Sequence, residues 1–161
     1  MASLFRRRLN FFKIPLFFFP FLGKINFFVH FPYKLKKILI RLPALLIAGL
    51  IWFLSSQSIL PQPKGILGWD KLQHLLAFGA LSFTAGFWVR PLFRRRRPVL
   101  SLLIITLACS AYGAIDEFHQ YFVPGRDCNV WDWMADTLGA FLGALTIMLL
   151  LLKTKLGEKI N

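Results

Sequence analysis

Four apolar stretches, each bounded by charge, occupy most of this chain: about residues 38–54, 75–89, 98–114 and 131–152. A helix needs about 20 mainly apolar residues to cross a bilayer. Inside hydrocarbon, a lone segment satisfies its backbone hydrogen bonds only as a helix. The 161 residues are 57% hydrophobic with a mean hydropathy of +0.58, too apolar for an ordinary soluble domain of this length. The expectation is an all-α protein, a four-span transmembrane helical bundle. Residues 38–153 make up the membrane domain, preceded by segment 1–37 and followed by a short tail, 154–161.

The formal net charge is +13. Such a charge ordinarily suggests nucleic acid. Here the basic residues fall between the apolar runs, the pattern of the positive-inside rule, so membrane lipids rather than nucleic acid are the expected surroundings. Segment 1–37, the Arg94–Arg97 stretch and the tail with Lys153, Lys155 and Lys159 are strongly basic. The connections 55–69 and 121–130 carry only Lys64 and Arg126. Both termini and the middle loop are therefore expected to be cytoplasmic, which an even number of spans satisfies.

Segment 1–37 contains Arg6, Arg7, Arg8, Lys13, Lys24, Lys34, Lys36 and Lys37, no acid, and short Phe-rich clusters interrupted by Pro15, Pro20 and Pro32. None of its apolar runs is long enough to span. It has no small-residue cleavage site after a single apolar core, as a signal peptide would. It reads as a disordered tail or as a basic segment lying on an anionic membrane surface. Cys109 and Cys128 form no metal or redox motif.

The acids are distributed in a way that composition does not require. Five of the seven, Asp116, Glu117, Asp127, Asp132 and Asp136, lie in the stretch 112–139 between two apolar runs. Acids beside membrane-length runs are costly unless they face water or a polar partner. In the four-span topology, Asp70, Lys71 and His74 open the second span from outside. Asp116, Glu117 and Gln120 close the third, and Asp132 and Asp136 open the fourth. Six of the seven acids converge on the outer rim, and only Glu158 falls inside.

Adjacent residues on a helix point about 100° apart, so at least one of Asp116 and Glu117 can face the bundle interior while the other faces the interface. Asp132, Asp136, Gly139 and Gly143 form one stripe, and the GxxxG spacing admits close approach of a neighbouring helix. Asp70 and Asp132, at helix starts, also suit capping and the helix dipole. Trp131 and Trp133 fit an interfacial aromatic belt.

Three kinds of function suit this rim. The acids and His74 hold a divalent cation while Arg126 grips a phosphate of a lipid-linked substrate. Alternatively, a carboxylate acts as general acid or base without metal. Or the rim is a non-enzymatic surface that docks helices or a partner. A transporter would need acids along a path near the bilayer centre, and these spans are polar at one end only. No HExxH, GxSxG or comparable catalytic signature is present.

The series SSQS (55–58), DKLQH (70–74), YGAIDEFHQYFVPGR (112–126) and DWMADTLG (132–139) resembles the VanZ-like family of bacterial membrane proteins, over roughly residues 39–152 and with segment 1–37 outside it. The resemblance implies a multi-pass protein of the bacterial cytoplasmic membrane. It implies characteristic polar positions at Asp70, Lys71, His74, Asp116, Glu117, Gln120, Arg126, Asp132 and Asp136, the last often Asn in such proteins. It also implies an envelope role that, for the family's namesake, concerns the glycopeptide antibiotic teicoplanin. The resulting expectation assigns Glu117, Asp116 and His74 to chemistry. Arg126, Gln120, Lys71, Asp70, Asp132 and Asp136 are assigned to binding a lipid-linked or peptidoglycan-precursor ligand. A divalent cation is compatible with this assignment.

Overall fold

The structure, a computed structural model, describes residues 32–58 and 68–156, with side chains at 32, 35, 38–58 and 68–151. Segment 1–31, connection 59–67 and residues 157–161 lie outside the described residues, and the expectations for the basic N-terminal segment and the extreme C-terminal tail fall there. The chain divides into two units after Lys36, and the packed helices belong to the unit from Lys37 onward.

The described residues are helical: α1 (Tyr33–Ser55), α2 (Trp69–Ala85), α3 (Pro91–Arg96), α4 (Pro98–Gln120) and α5 (Val130–Leu156), with a 3-10 turn Gly86–Trp88 closing α2. Among the described residues, three stretches are long and apolar enough to cross a membrane: Ile38–Ser55, Pro98–Gln120 and Val130–Leu151. At 17 residues, α2 is shorter, because its first turns carry Asp70, Lys71 and His74 and its last turn tightens into the 3-10 segment. The first helix begins earlier than the apolar run suggests, so Pro43 lies within it rather than near its start.

A short basic helix, α3, stands where the sequence suggested a loop. Pro91 occupies its first turn, where a missing N–H costs nothing. Pro98 does the same for α4, and between them Arg97 leaves helical geometry. Arg94 turns back to donate to the Gly86 and Val89 carbonyls, at 2.8 and 3.4 Å, which the end of the preceding helix leaves without helical partners.

Packing of α2 on α5 is the most extensive helix pair, followed by α4 on α5. The α2–α5 crossing works because it lacks side chains. A Cβ on Gly139 would collide with the Leu75 carbonyl, and one on Gly143 with the Gly79 carbonyl and Ser82 Oγ. Ala140 and Ala144, both fully buried, continue the small-residue seam. In hydrocarbon, helices gain little from apolar burial as such, and close backbone approach of this kind supplies the association. The buried cluster around the seam comprises Ala44, Ile51, Phe78, Leu81, Ile105 and Cys109 as well. Large apolar side chains such as Leu46, Phe53, Leu76, Leu107 and Phe118 point outward.

The relative directions follow from paired contacts. Gly86 at the end of α2 meets Ile147 late in α5, while His74 and Asp136 meet near the starts of the same helices, so α2 and α5 run parallel. Glu117, near the end of α4, lies beside His74, so α4 runs opposite to both. Ser55, the last residue of α1, bonds to Asp116 of α4, so those two run the same way. Polar cross-links join α1 to the rest. Tyr112 donates to the Ala48 carbonyl at 2.7 Å, and Trp88 Nε1 donates to the Arg41 carbonyl at 3.2 Å.

Candidate functional site

At one end of the bundle, α2, α4 and α5 bring His74, Glu117 and Asp136 to a common point. Each offers a ligating atom, and these atoms lie within 4.8 Å of one another. His74 Nδ1 is 2.8 Å from Asp136 Oδ1 and 3.8 Å from Glu117 Oε1. Asp136 is fully buried, Glu117 is 4% exposed, and the His74 side chain, at 17%, is the member that reaches the surface.

Local structure explains how each arrives. The glycine seam draws α5 onto α2, and His74 and Asp136 sit one turn or less before the Leu75–Gly139 contact. Gly113 of α4 leaves room for Asp136: a Cβ there would lie 2.9 Å from Asp136 Oδ2. Glu117 is held from the other side, where its Oε2 accepts the Asn129 backbone N–H at 2.8 Å. Asn129 also caps α5, its Oδ1 accepting the Trp131 N–H at 3.0 Å. The connection between α4 and α5 is kept tight by a turn at Gly125, whose φ of 80° suits glycine.

Two buried oxygens of this group, Glu117 Oε1 and Asp136 Oδ2, have no hydrogen-bond partner. Buried polar atoms are nearly always paired, and an unpaired carboxylate oxygen is costly.

Asp116 belongs to a second cluster. Its Oδ2 accepts from Ser55 Oγ at 2.7 Å and from Gln120 Nε2 at 3.1 Å. The sequence expectation that one of the adjacent acids would face the interface is therefore corrected: both are buried, because α1 covers the Asp116 side and α2 with α5 covers the Glu117 side.

Nearer the surface, Lys71 bridges Asp70 at 2.8 Å and Asp132 at 3.0 Å. These two lie on first turns without capping them: α2 is preceded by Gly68 with no side-chain cap, and Asn129 serves α5. The Lys71 ammonium beside Asp70 holds that carboxyl below its usual range, and Asp70 and Asp132 together raise Lys71. Arg126 donates to the carbonyls of Gln57 at 3.1 Å and Leu54 at 3.3 Å, closing the end of α1 rather than pairing with an acid. His119 stacks on Trp52, with ring centroids 4.0 Å apart.

The structure thus brings His74, Glu117 and Asp136 together, sets Asp116 with Gln120, and sets Lys71 with Asp70 and Asp132. Sequence reading missed Asn129, although Asn ahead of an apolar run is a recognisable helix start. It also gave no role to Ser110, whose hydroxyl lies 2.7 Å from Thr137 Oγ1 and whose carbonyl accepts from Trp133 Nε1.

Apolar helices of spanning length around a buried histidine–carboxylate cluster define an α-helical membrane protein. The family model VanZ/LLP1 matches residues 4–152, and the chain belongs to that family. The match begins far upstream of residue 39, so the basic N-terminal segment falls within the matched region and not outside it. No curated protein and no solved structure shows significant similarity to the chain.

Proposed function

We propose that this protein crosses the bacterial cytoplasmic membrane four times, with both termini cytoplasmic, and that its outward-facing polar end binds and acts on the headgroup of a lipid-linked envelope substrate. The convergence of His74, Glu117 and Asp136 from three helices carries this reading. Such a point is costly to build in a membrane protein, and ionisable groups at that depth ordinarily mark function. Support for a fourth crossing comes from α2, which with its 3-10 turn runs beside α5 from Lys71–Asp132 at one end to Gly86–Ile147 at the other.

In this reading Glu117 supplies the acid or base and His74 is its partner at the surface. Asp116 and Gln120 brace α1 beside the site, and Arg126, which donates to backbone carbonyls, adds positive charge for an anionic headgroup. The family's link to glycopeptides makes teicoplanin sensitivity the phenotype to test. Protection of a sensitive strain by the wild-type chain should vanish in Glu117→Gln at matched membrane levels. Equal protection by both would remove Glu117 from the chemistry.

Orientation has its own test. Cys128 is exposed and Cys109 buried, both free. A membrane-impermeant maleimide should label Cys128 in intact spheroplasts. Labelling only after lysis would invert the topology.

A non-enzymatic reading draws on the second cluster. The bonds of Asp116 to Ser55 and Gln120 are those of a helix-packing device. If the whole rim were structural, Glu117→Gln would lower thermal stability in detergent as much as Asp116→Asn does.

A further inference from the structure

We propose that His74, Glu117 and Asp136 form a binding site for a divalent transition-metal ion of the zinc type. The placement of these side chains carries the site, whatever the substrate.

Three observations converge. The first is the ligand set: one imidazole and two carboxylates, from three helices, with ligating atoms within 4.8 Å of one another. Zinc sites that keep an open position for water or substrate use three protein ligands of these kinds.

The second is the pair of unpartnered oxygens. Glu117 Oε1 and Asp136 Oδ2 are buried without a donor on residues 4% and 0% exposed. Asp116 Oδ1 is also buried without a partner, but Asp116 lies in a separate cluster with Ser55 and Gln120, and Asp70 and Asp132 share Lys71, so only Glu117 and Asp136 combine a free buried oxygen with a neighbouring imidazole. A divalent cation at this point would take a ligating oxygen from each of the two carboxylates and offset their charge.

The third is the outer support. Metal-binding carboxylates are typically fixed by further hydrogen bonds. Glu117 has one from the Asn129 N–H at 2.8 Å, which leaves Oε1 as the oxygen turned toward His74 Nδ1. Among divalent ions, an imidazole ligand favours zinc and its transition-metal neighbours over magnesium and calcium, which prefer all-oxygen shells. The partly exposed His74 places the ion's open position toward the surface, where a headgroup phosphate or carboxylate would reach it.

The test uses the full-length chain in detergent, stripped with chelator, freed of any affinity tag and titrated with Zn²⁺, Co²⁺, Mg²⁺ and Ca²⁺. The expected result is about one tightly held zinc per chain, a rise in thermal midpoint with zinc, and visible Co²⁺ absorption bands of low-symmetry nitrogen–oxygen coordination. Glu117→Gln, Asp136→Asn and His74→Gln should each weaken zinc binding at least about tenfold, while Asp127→Asn on the exposed loop should not. Where a variant fails to fold, the cobalt spectrum and zinc-dependent stabilisation of the wild type decide. Zinc bound equally by wild type and folded His74→Gln would overturn the site. So would the absence of both cobalt bands and zinc stabilisation in the wild type, which would mean that protonation satisfies the free oxygens. Magnesium or calcium binding as tight as zinc would overturn the role of the imidazole.

Discussion

His74 on α2 and Asp136 on α5 meet at 2.8 Å, within a turn of the point where Gly139 lies against the Leu75 backbone. The polar contact and the close helix crossing are therefore one structural feature. Residues at i and i+3 share a helix face, so the glycine that admits the backbone also sets the distance at which the acid reaches the histidine.

Enlarging that seam should be expensive. Gly139→Ala and Gly143→Ala each drive a methyl into a backbone carbonyl of α2. Overpacking of this sort costs about 1–3 kcal/mol, and backbone atoms yield less readily than side chains. Gly49→Ala, with nothing within 4 Å of the added Cβ, should be neutral or slightly stabilising. Thermal unfolding in detergent measures both, and a neutral Gly143→Ala would refute the crossing.

Gly113→Ala should disturb the site without removing any polar group. Its methyl would sit 2.9 Å from Asp136 Oδ2 and 3.0 Å from Asp136 Cβ, so Asp136 must shift away from α4. The expected outcome is a loss of function in the antibiotic assay out of proportion to the loss in thermal stability. A variant with full protection would show that the position of Asp136 does not matter.

The Lys71 bridge should give the polar end a defined pH dependence. Asp70 is depressed by Lys71, so its stabilisation is present above the ordinary aspartate range and is lost as pH falls through the lowered value. Lys71 is raised by Asp70 and Asp132, so its share is present below the ordinary lysine range and is lost as pH rises through the raised value. Both partners of the Lys71–Asp70 pair are well exposed, which limits the effect to about 1 kcal/mol or less. Lys71→Met should remove the acid-side dependence and the sensitivity to salt. Thermal midpoints of wild type and variant at acidic and neutral pH, with and without salt, check this.

Attachment of α1 should depend on its polar links. Ser55→Ala removes a donor from fully buried Asp116, and Tyr112→Phe removes the bond to the Ala48 carbonyl. Each should cost about 1 kcal/mol, more for Ser55→Ala because the carboxyl oxygen it leaves short of a donor is buried. Hydrogen exchange in α1 should rise in both variants while exchange in α2 and α5 stays at the wild-type level.

Much of this architecture was legible in the residue order. Apolar runs bounded by charge locate the helices, because a backbone in hydrocarbon has no other way to satisfy itself. The stripe of Asp132, Asp136, Gly139 and Gly143 announces a close helix contact before any partner is known. The outlying cases have local causes. Arg94–Arg97 reads as a loop from charge alone, yet Pro91 and Pro98 each start a helix, and Arg94 finds carbonyls to cap.

The sequence by itself determined that polar side chains gather at one end of an apolar helical chain, since spacing along each helix is a local property. Only the tertiary structure decided how they divide. Asp116 and Glu117 are neighbours in sequence, and which one joins His74 depends on where α1, α2 and α5 stand around α4. Packing of α5 against α2 places Asp136 with His74 and Asp132 with Lys71, while α1 takes Asp116 through Ser55. Helix spacing fixes the direction in which each carboxylate points, but the partner it meets is set by contacts some 60 residues away along the chain.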